Sequence, residues 1–269
     1  MTKTPALTEN DRAFMKRSFD SVGDIAILEI PKVLSKKQKL IGKEFLQLHP
    51  FFKVVLKKGG GHGGTYRVQK MVHLAGERRT VTEHKESGLR MRVDVAKAYF
   101  SPRLSTERLR IAKLVKPNEN ILVLFSGVAP YALVLSKHTK AKYITAVEIN
   151  PNGHKYAKEN LALNRLNNVT AVRADAKKWL AKSKEKFDRI IMPLPMTANA
   201  FIAGAIKVAK KNAAIHFYAF ADENALPAAA DPVLEACKKA KRKCAVEGVF
   251  RVGQHKPRAF RVCVDVRIS

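Results

Sequence analysis

Negative charge is scarce in this sequence. Lysine and arginine number 51 against 23 aspartates and glutamates, a formal net charge of +28 with a pI near 10.2. An excess of that size attracts polyanions over long range, so nucleic acid is the natural partner, RNA as readily as DNA. The basic residues run through the whole chain and mark no single site. Cysteine is nearly absent too. Cys237, Cys244 and Cys263 form no CxxC pair, and so few thiols, in odd number, fit a reducing compartment. Each is expected as a buried, inert thiol, and no metal site is expected. No apolar run approaches the roughly 20 residues that cross a bilayer, and the first twenty residues are polar with no signal core. The expectation is a soluble, cytoplasmic monomer. No internal repeat or low-complexity tail is present. Hydrophobic residues make up 46 % of the chain, enough for a sizeable core and against wholesale disorder.

The chain is organised around residues 121–151. Ile121-Leu122-Val123-Leu124 is a short apolar, β-branched run that reads as a strand. Phe125-Ser126-Gly127-Val128-Ala129-Pro130 is turn chemistry, since glycine takes backbone shapes other residues resist. A helix follows, then a strand from Tyr143 that closes on Glu148, Ile149, Asn150 and Pro151. Ligands of open parallel sheets bind outside the carboxyl ends of the strands. A small-residue turn lets backbone approach a cofactor there, and an acid ending the next strand can accept from a ribose diol. With one glycine rather than three, the turn also fits a purely structural strand–helix connection.

From residue 121 onward, strands (121–125, 143–147, 169–173, 188–192, 213–220, 260–267) alternate with helices (130–137, 152–164, 176–182, 197–210, 226–239). Residues 245–252 supply a further strand. The alternation implies an α/β fold with a parallel, doubly wound sheet. Upstream, residues 20–98 read as a small α+β module behind a leader over 1–19. Strands are expected at Asp24–Ile30, Phe51–Leu56, Tyr66–Ala75, Arg79–Lys85 and Leu89–Val95, with one helix over Ser35–Leu48. Between Lys57 and Gly64, five glycines in six positions prevent regular structure. That loop suits either a phosphate backbone or a plain hairpin connection.

Three further clusters carry chemistry. Asp175, before Ala176 at the end of a strand, suits an adenine amino group or a helix N-cap. Met192-Pro193-Leu194-Pro195 is a rigid segment short of amide donors, fit to wall a flat substrate or to end a strand. Tyr99 to Arg108, YFSPRLSTER, joins an aromatic ring, arginines and a carboxylate in ten residues. It suits base stacking, phosphate neutralisation and proton transfer, or else a solvated helix face.

Taken in order, these segments resemble the archaeal and eukaryotic tRNA (guanine-37 N1)-methyltransferase family. The Tyr99–Arg108 run is similar to that family's YFSPRL-x-TER, residues 125–130 to its FAGVGP loop, Glu148–Pro151 with Glu159-Asn160-Leu161 and Asn164 to its E-I-N-P…E-N-x-x-x-N run, and Met192–Pro195 to its M-N-L-P. Gly23–Ala26 and Tyr66–Val68 match its smaller preceding domain. The resemblance covers roughly residues 18–269. It implies a class I, Rossmann-like S-adenosylmethionine fold over 99–269, with a seven-stranded sheet, and methyl transfer to the guanine beside the anticodon of tRNA. It implies Glu107 as the general base for guanine N1, with Arg67, Tyr99 and Arg103 holding the base and its charge. It also implies a cofactor pocket from Phe125, Ser126, Gly127, Val128, Glu148, Ile149, Asp175, Ala176, Pro193, Leu194 and Pro195.

The chain departs from the family pattern at three places: Val123 replaces an acid, Ala129 a glycine and Pro193 an asparagine. The asparagine could orient guanine; proline cannot. Only 22 residues precede Gly23, so the family's extra leading domain is expected to be missing. These differences keep three rivals open. One is carbon methylation of a tricyclic guanosine derivative at the same position. The others are transfer of the cofactor's aminocarboxypropyl group and an RNA-binding protein that has lost catalysis. For every RNA-binding reading, affinity should fall steeply with salt.

Overall fold

The computed structural model describes residues 7–9, 11, 18–61 and 63–269. The leader expected over 1–19, like His62 of the glycine loop, lies largely outside the described residues. Two compact units are present, Met1–Pro102 and Arg103–Ser269.

In the first unit, strands β1 (Asp20–Val22), β2 (Ile25–Leu28), β3 (Val54–Lys58) and β4 (Met71–Gly76) form one sheet in that order. The run IAIL of β2 is buried at every position, as a strand with neighbours on both sides and both faces covered should be. Helix α1 (Gln38–Leu48) turns Ile41 and Phe45, four residues apart, into the core. A 3₁₀ turn over Lys32–Lys37 precedes it, so only the second part of the expected helix is α-helical. The glycine-rich loop joins β3 to β4, which are antiparallel. The expected strand Tyr66–Ala75 starts only at Met71. Arg67 sits in a turn with φ +49°, which ladder pairing does not allow. Strands β5 (Val81–Glu86) and β6 (Leu89–Asp94) make a two-stranded hairpin. Ser87 and Gly88 turn it, both with positive φ, as a tight hairpin turn requires.

The second unit opens with helix α2 (Ser105–Leu114) and builds one seven-stranded sheet. Its strands are β7 (Asn120–Leu124), β8 (Tyr143–Glu148), β9 (Val169–Arg173), β10 (Phe187–Met192), β11 (Ala209–Asp222), β12 (Cys244–Lys256) and β13 (Ala259–Ile268), in the order β12-β13-β11-β10-β7-β8-β9. The five strands from β9 across to β11 are parallel. Strand β13 runs antiparallel to both its neighbours. A short turn cannot return a chain parallel to itself, so the β12–β13 hairpin departs from the all-parallel expectation. Helices α3 (Pro130–His138), α4 (Pro151–Leu163), α5 (Ala176–Lys182), α6 (Asn199–Val208) and α7 (Asp231–Lys239) make the connections. The last helix is shorter than expected because Pro227–Ala230 is a 3₁₀ turn. Residues 209–210, expected at a helix end, instead begin β11.

One face of the sheet buries Leu122, Leu124, Ile190, Met192, Ile215, Phe217 and Val264 under Leu180, Ile202, Ile206 and Val233. Alternation sends His216 and Tyr218 of β11, with Cys263 and Asp265 of β13, to the other face. Chain order reverses between β7 and β10, so the carboxyl ends of these two strands form the topological switch point where ligands of such sheets bind. Among the described residues no helix is long and apolar enough to cross a membrane.

Candidate active site

The turn after β7 is more contorted than one glycine suggests. Phe125, Gly127 and Ala129 have φ of +53°, +56° and +68°. Ala129 therefore carries its Cβ in the left-handed region, a strain of roughly 1–2 kcal/mol. Ser126 N–H donates to Val147 O and Ala129 N–H to Ser126 O, at 3.0 and 2.8 Å. Glu148 locks the turn from the next strand. Its Oε2 accepts from Gly127 N–H at 2.6 Å and its Oε1 from Asn150 N–H at 2.7 Å. Burial pushes the Glu148 carboxyl above its ordinary pKa, opposed by amides of Asn150, Gly127 and Ile149. The carboxylate keeps acceptor capacity for a further donor such as a hydroxyl.

Helix α4 presses its first turn against this loop. A Cβ at Gly153 would stand 3.1 Å from Glu148 Cγ and 3.3 Å from Gly127 O. Asn160, wholly buried, donates to Val128 O at 3.2 Å. Ser126 Oγ is buried without a hydrogen-bond partner, aligned with a loop otherwise held by backbone bonds. An orphaned hydroxyl and a buried carboxylate on a backbone cradle fit the ribose and adenine of a nucleoside cofactor.

Asp175 stands at the end of β9, beside β8, where Ala174 N–H reaches Glu148 O at 3.1 Å. It caps α5 through a 2.9 Å bond from Lys178 N–H to Oδ1. That is the N-cap expected of it, and Oδ2 remains for a donor. Ala176 is buried in the first turn of α5. Pro193, Leu194 and Pro195 follow β10 at the switch point, half-buried. The segment turns back on the strand end, where Leu194 N–H donates to Met192 O at 2.8 Å. The Phe125 ring meets Phe201 edge-on at 4.8 Å.

Glu107 is no solvated helix residue; it is 5 % exposed. Arg110, one turn along α2, donates Nε to Oε2 at 2.7 Å and Nη2 to Oε1 at 2.8 Å. Tyr218 donates its hydroxyl to Oε1 at 2.6 Å and receives that of Tyr131 at 2.9 Å. Arg110 also donates to Asp265 Oδ2 at 2.7 Å. Asp265 Oδ1 is 2.6 Å from His216 Nδ1, and His216 Nε2 is 2.6 Å from Arg189 Nη1. Arg189 closes the line on Glu119 at 2.7 Å. Arginine can only donate, so His216 Nε2 accepts and its Nδ1–H donates to Asp265; the imidazole is neutral. Burial lowers the His216 pKa, in keeping with that state. Desolvation opposes the Asp265 charge, but His216 and Arg110 outweigh it and hold the carboxyl well below its usual range. Burial raises the pKa of Tyr218 and Tyr131, which stay protonated donors.

His216, Cys263 and Asp265 are the trio of potential metal ligands that lie together among the described residues. Arg110 and Arg189 place fixed positive charge on Asp265 and His216, which repels a cation. Cys263 and Cys237 are buried, and burial pushes the Cys237 thiol up to about 12. Cys244 corrects the expectation of burial: at the start of β12, on the sheet's edge, it is only half-buried.

Arg103 is exposed in a 3₁₀ turn ahead of α2, and Arg108, 1 % exposed, lies over the Tyr131 ring. In the first unit Arg67 is half-buried and Tyr99 is 37 % exposed. Thus Phe125–Val128, Glu148, Ile149, Asp175 and Ala176 gather at the carboxyl edge, with Pro193–Pro195 at the same edge. Sequence reasoning missed Arg110, Tyr218, Asp265 and Gly153. Only Arg110 had a local signal, its three-residue spacing from Glu107.

Residues 82–247 match the TRM5/TYW2 methyltransferase domain and residues 4–80 the TYW2 N-terminal domain. The tRNA (guanine(37)-N(1))-methyltransferase Trm5b of Pyrococcus abyssi is 38 % identical over 265 residues, 96 % of this chain and 77 % of that protein. The tRNA 4-demethylwyosine(37)-methyltransferase Taw21 of Saccharolobus solfataricus is 33 % identical over 262 residues, covering 96 % and 97 %. A complex of aTrm5 with tRNALeu superposes with a TM-score of 0.85 at 35 % identity, over 97 % of this chain and 74 % of that one. Methanocaldococcus jannaschii Trm5 in complex with adenosine gives 0.81 at 35 % identity, over 97 % and 77 %. The match runs through both units and includes an adenosine complex of the same sheet, and on it the chain belongs to the TRM5/TYW2 methyltransferase family.

Proposed function

We propose that the chain transfers the methyl group of S-adenosylmethionine to N1 of guanosine 37 in tRNA, as a cytoplasmic monomer. The observation that carries this reading is Glu107: a buried carboxylate side chain held by Arg110 and Tyr218, with one lone pair open. Among the described residues its Oε1 accepts from Arg110 and Tyr218, while Oε2 accepts only from Arg110. A carboxylate oxygen has two acceptor sites, so Oε2 is the atom left to take a proton. Guanine N1 carries a proton at neutral pH and has no free lone pair. A base in reach must remove that proton as the methyl arrives.

Bound S-adenosylmethionine supplies an electrophilic methyl on sulfur. Glu148 would hold its ribose, Asp175 its adenine amino group and Ser126 a further acceptor, with Phe125, Val128, Ile149, Ala176 and Pro193–Pro195 as pocket wall. Arg67 and Arg103 serve as cations for oxygens of the RNA, and Tyr99 as a stacking ring. The target base leaves its stack to be read, the usual solution for chemistry on a nucleobase.

The test is transfer of labelled methyl from S-adenosylmethionine to unmodified tRNA with guanosine at position 37, followed by nucleoside analysis. 1-Methylguanosine is the expected product; cofactor binding without it would overturn the reading. A second reading, carbon methylation of a tricyclic guanosine derivative, is favoured by Pro193, which has no amide to orient guanine. The same assay on tRNA bearing the tricyclic base separates the two.

A further inference from the structure

The β11–β13 ladder outruns the parallel sheet. Pairing of β10 with β11 ends at Met192–Phe217, whereas β11 and β13 stay paired through Asp222–Ala259. The overhang projects from the carboxyl edge, the edge of the nucleoside loop. Alternation along β11 puts Phe220 on the same face as His216 and Tyr218, and its partner Arg261 on the face of Cys263 and Asp265. Phe220 thus lies about 7 Å beyond Tyr218, the residue that holds Glu107. His255 of β12 stacks on Phe220, with ring centroids 3.8 Å apart and planes 21° apart. The Arg261 guanidinium lies 5.8 Å from the Phe220 ring. Phe220 is half-buried and His255 exposed. From Gly248 to Val264 the sequence holds Arg251, Lys256, Arg258 and Arg261 and no acidic residue.

We infer that Phe220, His255 and Arg261 form a platform that stacks an unpaired nucleobase flanking the methylated one and neutralises its phosphate. Stacked aromatic faces beside arginine, on a strand pair where Arg251, Lys256, Arg258 and Arg261 outnumber Asp222 and the Glu223 that pairs with Arg251, bind single-stranded RNA with little regard to sequence. The anticodon loop, whose bases are unpaired on both sides of position 37, is the RNA of that chemistry. The inference rests on the tRNA methyl-transfer reading.

The test uses the full-length protein and unmodified tRNA, with dissociation constants read by fluorescence anisotropy and kcat and KM by methyl transfer. His255→Ala should weaken tRNA binding roughly tenfold through KM while kcat at saturation holds. His255→Phe should restore binding, because it restores the stacking face. Arg261→Gln should lower the slope of log affinity against log salt by about one. Lys211→Ala, an exposed cation at the far end of β11, should behave as wild type. Unchanged binding in His255→Ala, or a His255→Phe as weak as alanine, would overturn the platform. Wild-type protein that binds tRNA in this His255-dependent way yet forms no methylated nucleoside would overturn the methyl-transfer reading instead.

Discussion

Replacing Glu107 with glutamine keeps the side-chain shape and deletes one charge. The native carboxylate takes two bonds from Arg110 and one from Tyr218, between 2.6 and 2.8 Å. Glutamine keeps one acceptor oxygen, and its amide faces a donor where the second stood. Arg110 is not stranded, because Asp265 still holds it at 2.7 Å. The loss of stability should therefore be about 2 kcal/mol, the worth of one bond to a charged partner. It should fall short of the roughly 3–5 kcal/mol of an orphaned buried charge. Catalysis should suffer more: losing a general base costs about 10²- to 10⁴-fold, which is roughly 3–5 kcal/mol of barrier. Single-turnover methyl transfer with saturating cofactor reads the chemical step, and urea denaturation reads the stability. Glu107→Gln should bind cofactor normally and transfer slowly. A transfer rate near wild type, with the nucleoside product unchanged, would remove Glu107 as the base.

Three other outcomes follow from the geometry. Gly153→Ala should drive a methyl into Glu148 and the Gly127 carbonyl at about 1–3 kcal/mol, and calorimetry should show weaker adenosine binding; unaltered affinity would contradict the cradle. Because burial raises the Glu148 pKa, its contribution to stability is complete below its unfolded value of about 4.3 and is lost as pH rises through the folded value. Denaturation midpoints of Glu148→Gln should accordingly fall less than wild type's between pH 4 and 7, while its cofactor affinity drops. His216 works in the opposite sense: its pKa is lowered, so its contribution is complete above about pH 6.5 and is lost as pH falls toward the folded value. His216→Gln should flatten that part of the profile, and an unchanged slope between pH 7 and 5 would mean that His216 is not held neutral.

The strands and helices of the second unit were legible because each is a short apolar run bounded by turn residues, and the turn after β7 was marked by Gly127 and Pro130. Glu148 was legible because a strand and an acid stood together in the sequence. The reach of the network was not, because it joins Glu107 to Tyr218 and Arg110 to Asp265, residues 111 and 155 positions apart. Alternation alone would have put His216 and Tyr218 on one face, but nothing local said which helix would cover it. The positive φ of Phe125 and Ala129 was hidden because neither residue type prefers it. The second half of the 3₁₀ turn before α1, Ser35–Lys37, and the one before α7 were read as helix because their apolar spacing is shared by both forms.

The placement of β13 bears on how the molecule comes to be active. It is the last strand in sequence, yet it enters between β11 and β12 rather than at an edge. Until it arrives, β11 leaves the edge Ala213–Asp222 unpaired, and Arg110 has no Asp265 to complete its fork. A chain emerging from the ribosome has every residue of the proposed cofactor loop, 120–175, well before that point. Glu107 would then lean on an arginine with nothing behind it. On the proposed role of Glu107, the setting for proton transfer is thus completed last, in the step that also covers the open edge of β11 and leaves β12 and β9 as the sheet's edges. An unfinished chain could hold the nucleoside without being set up to use it.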